Sequence, residues 1–489
     1  MKYKGSYFNM WDAWFLNDHE TIHAFHLKAH DGENWNVGHV YTEDLLHFKK
    51  MCDVLETLPE EKYPDDCLGK FTGCAVEKDG VYYLFYTMRD RIRSEKIGLA
   101  ISHDLEHFEE YEHNPVLVPD ENIFAVYPKG QKTDFRDLHV VFDEERGKYL
   151  GYFAAMANIP GRGELGVVGM TESADLIHWE NQKIVYVPEF NGVVEVPNIF
   201  KLDGKWYLTL LTGTQYGAKG AVSDPNISWF TIWASADSPD GPFLSSPDNI
   251  FLGSTMEGGY TCRCFDYHGK TYVMYIDRSE YGASISLPKE VRVVDEKIVP
   301  CYTDILQKLR TGKSWNQFTF DRVPTAWAWG AVVAGTVSSD QKTVRIEGVP
   351  NSFQAFQMRD VSAGSLETEF TLSGDFSEAG LVFYCSDQPL KNTKECFGKE
   401  HTISLDRKNQ RFVLYENSLT PVCCRNFDFT KKDQWHIRVL AMEGQLEVYV
   451  DDVLLMQRGL KTEKCISAGL FAFDGRAEFR DLKIYELEQ

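Results

Sequence analysis

One phrase is written three times along this 489-residue chain: TEDLLHF (Thr42 to Phe48), SHDLEHF (Ser102 to Phe108) and SADLIHW (Ser173 to Trp179), with a worn copy in SADSPDGPF (Ser235 to Phe243). Taking Asp44, Asp104, Asp175 and Asp237 as markers, the steps are 60, 71 and 62 residues. A second phrase runs in phase with the first, a turn glycine followed by alternating aromatics: DGVYYLFYT at Gly80, RGKYLGYF at Gly147, DGKWYLTLL at Gly204 and HGKTYVMYI at Gly269. HETIHAFHL (His19 to Leu27) is a glycine-free fifth version. Self-similarity at a long period marks a serial array of like supersecondary units, and few folds accept one.

Short apolar, aromatic-rich runs entered through Asp-Gly turns read as hairpin strands. KIGLAISHDLEHFEE (Lys96 to Glu110) continues the pattern with another strand, a turn and an edge strand. Each period therefore holds about four antiparallel strands and little helix, and such units in series close into a propeller. The count predicts an all-β chain with a five-bladed β-propeller between about residues 5 and 292, assigned to a catalytic domain over 1–300. A short amphipathic stretch, YTDILQKLRTG (Tyr302 to Gly312), falls in a linker expected over 301–315. Beyond it, strands of alternating pattern such as LETEFTLSG, AGLVFYCSD and WHIRVLAMEGQLEVYVDDVLL predict a β-sandwich over 316–489.

The length exceeds what one core usually holds, in keeping with two domains. The 43% hydrophobic and 13% aromatic content supplies the cores. No run approaches the roughly 18 apolar residues of a membrane span. The start, MKYKGSYFNMWDAWF, lacks the pattern of a secretory signal, so a cytoplasmic protein is expected, with no membrane partner. Eleven cysteines, an odd count without framework spacing, fit reduced thiols. Cys423-Cys424 and Cys262-x-Cys264 lack the His or Cys partners of a tetrahedral site, so no metal is expected. With 51 basic against 73 acidic side chains, a net charge of −22 argues against nucleic acid and suits a neutral substrate. A sandwich can dock a second copy without any motif, which leaves a homo-oligomer open.

Propellers set their innermost strands around a central channel, so equivalent points near the starts of different blades converge. Asp137 lies 10 residues before Gly147, Glu195 lies 9 before Gly204, and Asp12 lies 7 before the polar turn at His19. Three acids thus occupy one slot of the repeat. In the same slot blade two offers FTGCA (Phe71 to Ala75) and blade five MEGGY (Met256 to Tyr260), from which Glu257 and Tyr260 are candidate pocket residues. Acids at inner-strand ends, flanked by aromatics, fit glycoside hydrolysis, which needs one carboxylic acid on the leaving oxygen and one carboxylate at the anomeric carbon or on water. Glu195, between valines in VVEVP, is the candidate for the raised, protonated acid, and Arg136 is expected to keep Asp137 ionised. Trp11, Trp14 and Phe71 are candidates for a stacking wall against a sugar face. Asp44, Asp104 and Asp175, present in every copy of the phrase, read as turn carboxylates serving architecture.

At these residues the chain resembles glycoside hydrolase family 32, the invertases, inulinases and levanases, over essentially its whole length. VGHVYTEDLLHF (Val37 to Phe48) is similar to that family's WGHA-S-DL-HW, KFTGCAVEKDGVYYLFYT to its FSGSA strand, FRDLHVVFD to its RDP motif, VEVPNIFKLDG to its ECPD motif, and LPKE to the LPRE ending its propeller. QLEVYVDDVLL is similar to SVEVFVNDG of its sandwich. The resemblance implies a five-bladed propeller followed by a sandwich, and a retaining mechanism without metal or organic cofactor. It implies Asp12 as nucleophile, Glu195 as general acid/base, and Asp137 as the aspartate that binds substrate hydroxyls and stabilises the transition state, with Arg136 beside it.

Departures cluster around Asp12. The family's WMNDPNG is NMWDAWF here, placing Trp11, Ala13 and Trp14 where asparagine, proline and asparagine stand in the motif. The glutamine that follows the first blade's strand is Leu27 or Lys28, the tryptophan of WGHA is Val37, and the serine of FSGSA is Thr72, a further substrate-binding candidate. Exchanging buried polar groups changes what a site accepts. All three acids survive, which favours an active hydrolase with altered preference for fructosides or related furanosides. The competing readings are an inverting propeller hydrolase of the arabinofuranosidase/xylosidase kind and a non-catalytic sugar-binding propeller. Arg89, Arg91 and Arg93 in TMRDRIRSEK form either a basic cluster for a phosphorylated sugar or a solvated loop.

Overall fold

The computed structural model describes the chain except residues 1–3, 6–9, 30–34, 58–59, 62–63, 129–130, 219–227, 255–260, 280–281, 324–335, 341, 349, 351–352, 386–399, 417–419, 443, 460–463 and 489. Glu257 and Tyr260 therefore lie outside the described residues. The described chain is all-β in class, with almost no helix, in two compact units that divide near Ile305 and Leu306. No helix among the described residues is long and apolar enough to cross a membrane.

The first unit is a series of antiparallel meanders. Trp11–Asp18, Thr21–Ala29 and Trp35–Thr42 pair in order, with the short strand Lys49–Lys50 at the edge. Gly69–Lys78, Val81–Arg89, Glu95–Ser102 and Glu109–Glu110 follow, then Phe135–Asp143 to Glu180–Tyr186 and Glu195–Leu202 to Leu244–Ser254, each of the last two a four-stranded sheet. Arg263–Tyr267, Lys270–Met274, Lys289–Val294 and Lys297–Cys301 repeat the arrangement. The first strands of these meanders neighbour one another in sequence order, and Arg263–Tyr267 returns to touch Trp11–Asp18. Buried side chains cement the interfaces: Trp14, Phe25, Leu84 and Tyr86 between the first and second meanders, Ala24, Ile22, Tyr272 and Met274 between the first and last.

Both repeated phrases are turns of this unit. The glycine phrase joins the first and second strands, with Asp79-Gly80, Asp203-Gly204 and His268-Gly269 all at positive φ (54° and 77°, 50° and 81°, 49° and 74°). Two consecutive left-handed residues make the type I′ turn that suits strand twist, which is why Asp, His and Gly stand there. The aspartate phrase joins the third and fourth strands. Asp44 accepts hydrogen bonds from the Leu46 and His47 amides at 2.9 and 2.8 Å, and Asp104 and Asp175 repeat both distances two and three residues downstream. The carboxylate also bonds Nδ1 of His47, His107 or His178 at 2.7, 2.8 and 2.7 Å. Leu45, Leu105 and Leu176 follow at φ 64°, 63° and 73°, a conformation unusual for a bulky residue and held here by burial of each side chain.

The second unit, from Leu306, is built on two long strands, Leu366–Cys385 and Cys465–Leu487, paired antiparallel. Its core gathers Phe370, Phe383, Trp435 and Phe479. The expected linker 301–315 is mostly ordered structure. Asp304–Leu309 forms a short 3₁₀-helix, and Arg310–Trp315 is a strand paired with Cys465–Leu487. Arg310 anchors it by a bidentate bond to the fully buried Glu367, at 2.7 and 2.9 Å. That long-range pairing leaves no mark in local composition.

Candidate active site

Each first strand of four successive meanders carries a β-bulge near its start: between Trp11 and Ala13, Phe71 and Cys74, Arg136 and His139, and Glu195 and Asn198. A bulge inserts an extra residue, bends the strand and re-aims side chains, and is frequent beside active sites. Asp12, Thr72, Asp137 and Glu195 sit at or within these bulges, so the shared slot of the repeat is a shared backbone irregularity. Asp137 takes φ 61°, which aspartate tolerates; Val196, next to Glu195, takes φ 52°, a strained position for a β-branched residue.

The bulges turn Asp12, Asp137 and Glu195 into one cavity of 260 Å³, together with Trp11, Phe71, Thr72 and Arg136. Thr72 Oγ1 donates to Asp12 Oδ2 at 2.5 Å. The Asp137 amide donates to Thr87 Oγ1 at 3.0 Å, and that hydroxyl donates to the Thr72 carbonyl at 2.8 Å. The Val196 amide donates to Asp137 Oδ2 at 2.8 Å. Glu195 accepts from the Tyr216 hydroxyl at 3.1 Å and stands 3.4 Å from Arg136 Nε. Every acid thus has a fixed donor: Asp12 and Asp137 from neighbouring strands, and Glu195 from the short 3₁₀-helix Thr214–Tyr216.

Burial raises the pKa of all three acids. For Asp12 the Thr72 bond opposes it. For Glu195 the Arg136 guanidinium opposes it, and the charge of Asp12 adds to it. Asp137 is pushed up to about 7 by burial, against Arg136 and with the help of Glu195 and Asp12. The expectation that Arg136 would keep Asp137 ionised is therefore corrected. Arg136 spends its Nη1 on Glu95 at 2.5 Å and Asp134 at 2.7 Å, away from its sequence neighbour. Such a set can hold a proton on one carboxyl beside an ionised one, which is what acid-assisted attack on an acetal carbon requires.

Comparison with known proteins decides the family: the model of the glycosyl hydrolases family 32 N-terminal domain matches residues 15–286. The chain belongs to glycosyl hydrolase family 32. It is a glycoside hydrolase. Among curated proteins, sucrose-6-phosphate hydrolase of Bacillus subtilis (strain 168) is 28% identical over 186 residues, 36% of this chain and 34% of that protein. The match thus spans about a third of the length of that curated relative. Among solved structures, a β-fructofuranosidase of Bombyx mori has a TM-score of 0.66 at 16% identity, covering 99% of this chain and 94% of its own. An exo-inulinase from Aspergillus awamori has a TM-score of 0.69 at 15% identity, covering 100% and 98%. These likenesses show the fold, a β-propeller with a β-sandwich.

In this family 32 chain the aromatic wall differs from the one expected. Trp11 and Phe71 line the cavity, but the third aromatic is Trp35, whose ring stands 5.9 Å from Trp11 and 6.2 Å from Phe71. Trp14 is 1% exposed and stacked on Phe25, in the core between meanders. Leu27 lines the pocket at a position where the family motif has glutamine or its neighbour. Arg89 also lines it, its guanidinium 3.9 Å above the Phe71 ring and bonded by Nε to Glu95 at 2.8 Å. Arg91 and Arg93 are exposed, with Arg91 paired to Glu60, and neither lines this cavity. Glu95 and Tyr216 carry no sequence signal, because Glu95 opens a third strand and Tyr216 closes a short 3₁₀-helix, both outside the slot of the repeat that marks the acids. Among the described residues no group of three or more His, Cys, Asp or Glu could hold a metal ion.

Proposed function

We propose that this chain is a retaining hydrolase that cleaves terminal β-fructofuranosyl or related furanosyl residues from small oligosaccharides such as sucrose or fructo-oligosaccharides. The observation that carries the reading is the convergence of Asp12, Asp137 and Glu195, from three inner strands, in one 260 Å³ cavity walled by aromatics. Asp12 attacks the anomeric carbon while Glu195 gives its proton to the departing oxygen. Glu195 then takes a proton from water, whose oxygen displaces Asp12 and releases the sugar. Asp137, titrating near neutrality, both gives and takes hydrogen bonds with sugar hydroxyls and steadies the oxocarbenium-like transition state. Arg136 sets the charge on Glu195, and Trp11, Phe71 and Thr72 shape the furanosyl subsite. No cofactor enters these steps.

Five blades within residues 1–300 and a sandwich beyond belong to the same reading, supported by the ring of first strands that closes from Arg263–Tyr267 onto Trp11–Asp18. A cytoplasmic location belongs to it too, supported by cysteine usage without framework spacing. The family match favours this reading over the inverting arabinofuranosidase/xylosidase type. The names of the relatives point to sucrose, its 6-phosphate and inulin as first substrates to try. Product analysis over a panel of fructosides, sucrose 6-phosphate and other furanosides, with Asp12→Asn as the blank, is the test. Release of free fructose by the wild type alone supports the reading, and no release from any fructoside overturns its specificity.

A further inference from the structure

Arg263 opens the strand Arg263–Tyr267 and is buried to 2% exposure on the channel side, yet no catalytic step above uses it. Its Nη1 donates to the Pro197 carbonyl at 2.6 Å and its Nη2 to the Gly73 carbonyl at 3.2 Å. Those carbonyls belong to two of the site's bulges. Gly73 follows Thr72, whose hydroxyl holds Asp12; Pro197 follows Val196, whose amide holds Asp137. One planar guanidinium therefore spans the channel floor and ties together the two backbone segments that present donors to two carboxyls. Gly73 is confined as well: a Cβ there would stand 1.9 Å from the Phe85 carbonyl oxygen. Lysine would offer a single ammonium and no fork.

We propose that Arg263 is a positioning residue, a cationic clamp that joins the Thr72–Gly73 and Val196–Pro197 bulges beneath the acid trio and so fixes where Asp12 and Asp137 point. This rests on the reading of those two as the reacting and substrate-binding carboxyls. Around the guanidinium stand Asp12, Asp137, His139, Cys74 and Cys264. His139 is pushed down to about 3 by burial and by the nearby Arg263, so it stays neutral, and the positive charge acts on the two aspartates. The charge holds Asp12 more acidic than burial alone would.

Arg263→Lys and Arg263→Gln separate the two parts. Lys keeps the charge and loses the fork: kcat is expected to fall about 100-fold, as for a small misplacement of reacting groups, with the acid limb of kcat/KM unmoved. Gln loses the charge as well: the acid limb is expected to rise by about one unit in addition. Carboxyl ¹³C titration by NMR on Asp-labelled protein, assigned with Asp12→Asn, reads Asp12 without substrate and should show the same upward shift in Gln and none in Lys. Both variants titrating and turning over like the wild type would overturn the clamp. If the wild type hydrolyses no furanoside, the catalytic reading fails while the titration still tests the cationic part of the clamp: a shift in Gln alone supports that part, and no shift refutes a cationic clamp.

Discussion

Asp137 is 3% exposed and its carboxyl sits at about 7, raised first by burial. A carboxyl raised on folding binds more protons in the folded state, so its contribution to stability falls as pH rises from the ordinary range near 4 to about 7. Asp137→Asn keeps an oxygen for the Val196 amide and removes the buried charge. It is expected to stabilise the chain at pH 8 by at most about 4 kcal/mol and to lose that gain toward pH 4, as chemical denaturation at the two pH values will show. Activity should collapse in the same variant. Tyr216→Phe acts in the opposite sense on turnover: it deletes the hydroxyl that favours ionised Glu195, so the acid keeps its proton to higher pH. The basic limb of the kcat profile is expected to rise by about one unit or less. At this scale the three acids were legible as one slot of the repeat, whereas the direction of Arg136 was not. The positive φ of Asp137 turns two sequence neighbours toward different partners, and nothing in FRDLH announces it.

The aspartate phrase and the bulges are the informative elements. In the turn after the third strand, burial pushes Asp44 up, but bonds from the His47 side chain and amide and from the Leu46 amide outweigh it and hold the carboxyl at about 2. Its stabilising effect is present above the ordinary aspartate range and is lost as pH falls through about 2. Asp44→Ala is expected to cost about 1–2 kcal/mol at neutral pH with kcat/KM unchanged, checked by urea titration alongside the fructoside assay. The repeat gave these turns away because the same short-range bonds recur with the same spacing. The aromatic wall was half legible for a related reason. Local pattern does not say which aromatics meet: Trp14 packs on Phe25 in the core, while Trp35, from the third strand, joins Trp11 at the cavity.

Over the whole molecule, the period and the change to alternating strands after residue 300 foretold an all-β chain. They did not foretell that Arg310–Trp315 would be a strand of the second unit, since its partners lie more than a hundred residues downstream. Long-range connections escape local reading throughout: Glu95 bonding Arg136, and Arg263 bridging Gly73 and Pro197, join strands that composition and spacing treat separately. The central claim is that this frame brings Asp12 and Glu195 to opposite tasks on one anomeric carbon. Proton NMR of the first anomer released from a β-fructofuranoside, followed before mutarotation, tests it most directly. The account predicts β-fructofuranose first, and no release with Asp12→Asn. Release of the α-anomer first would contradict it.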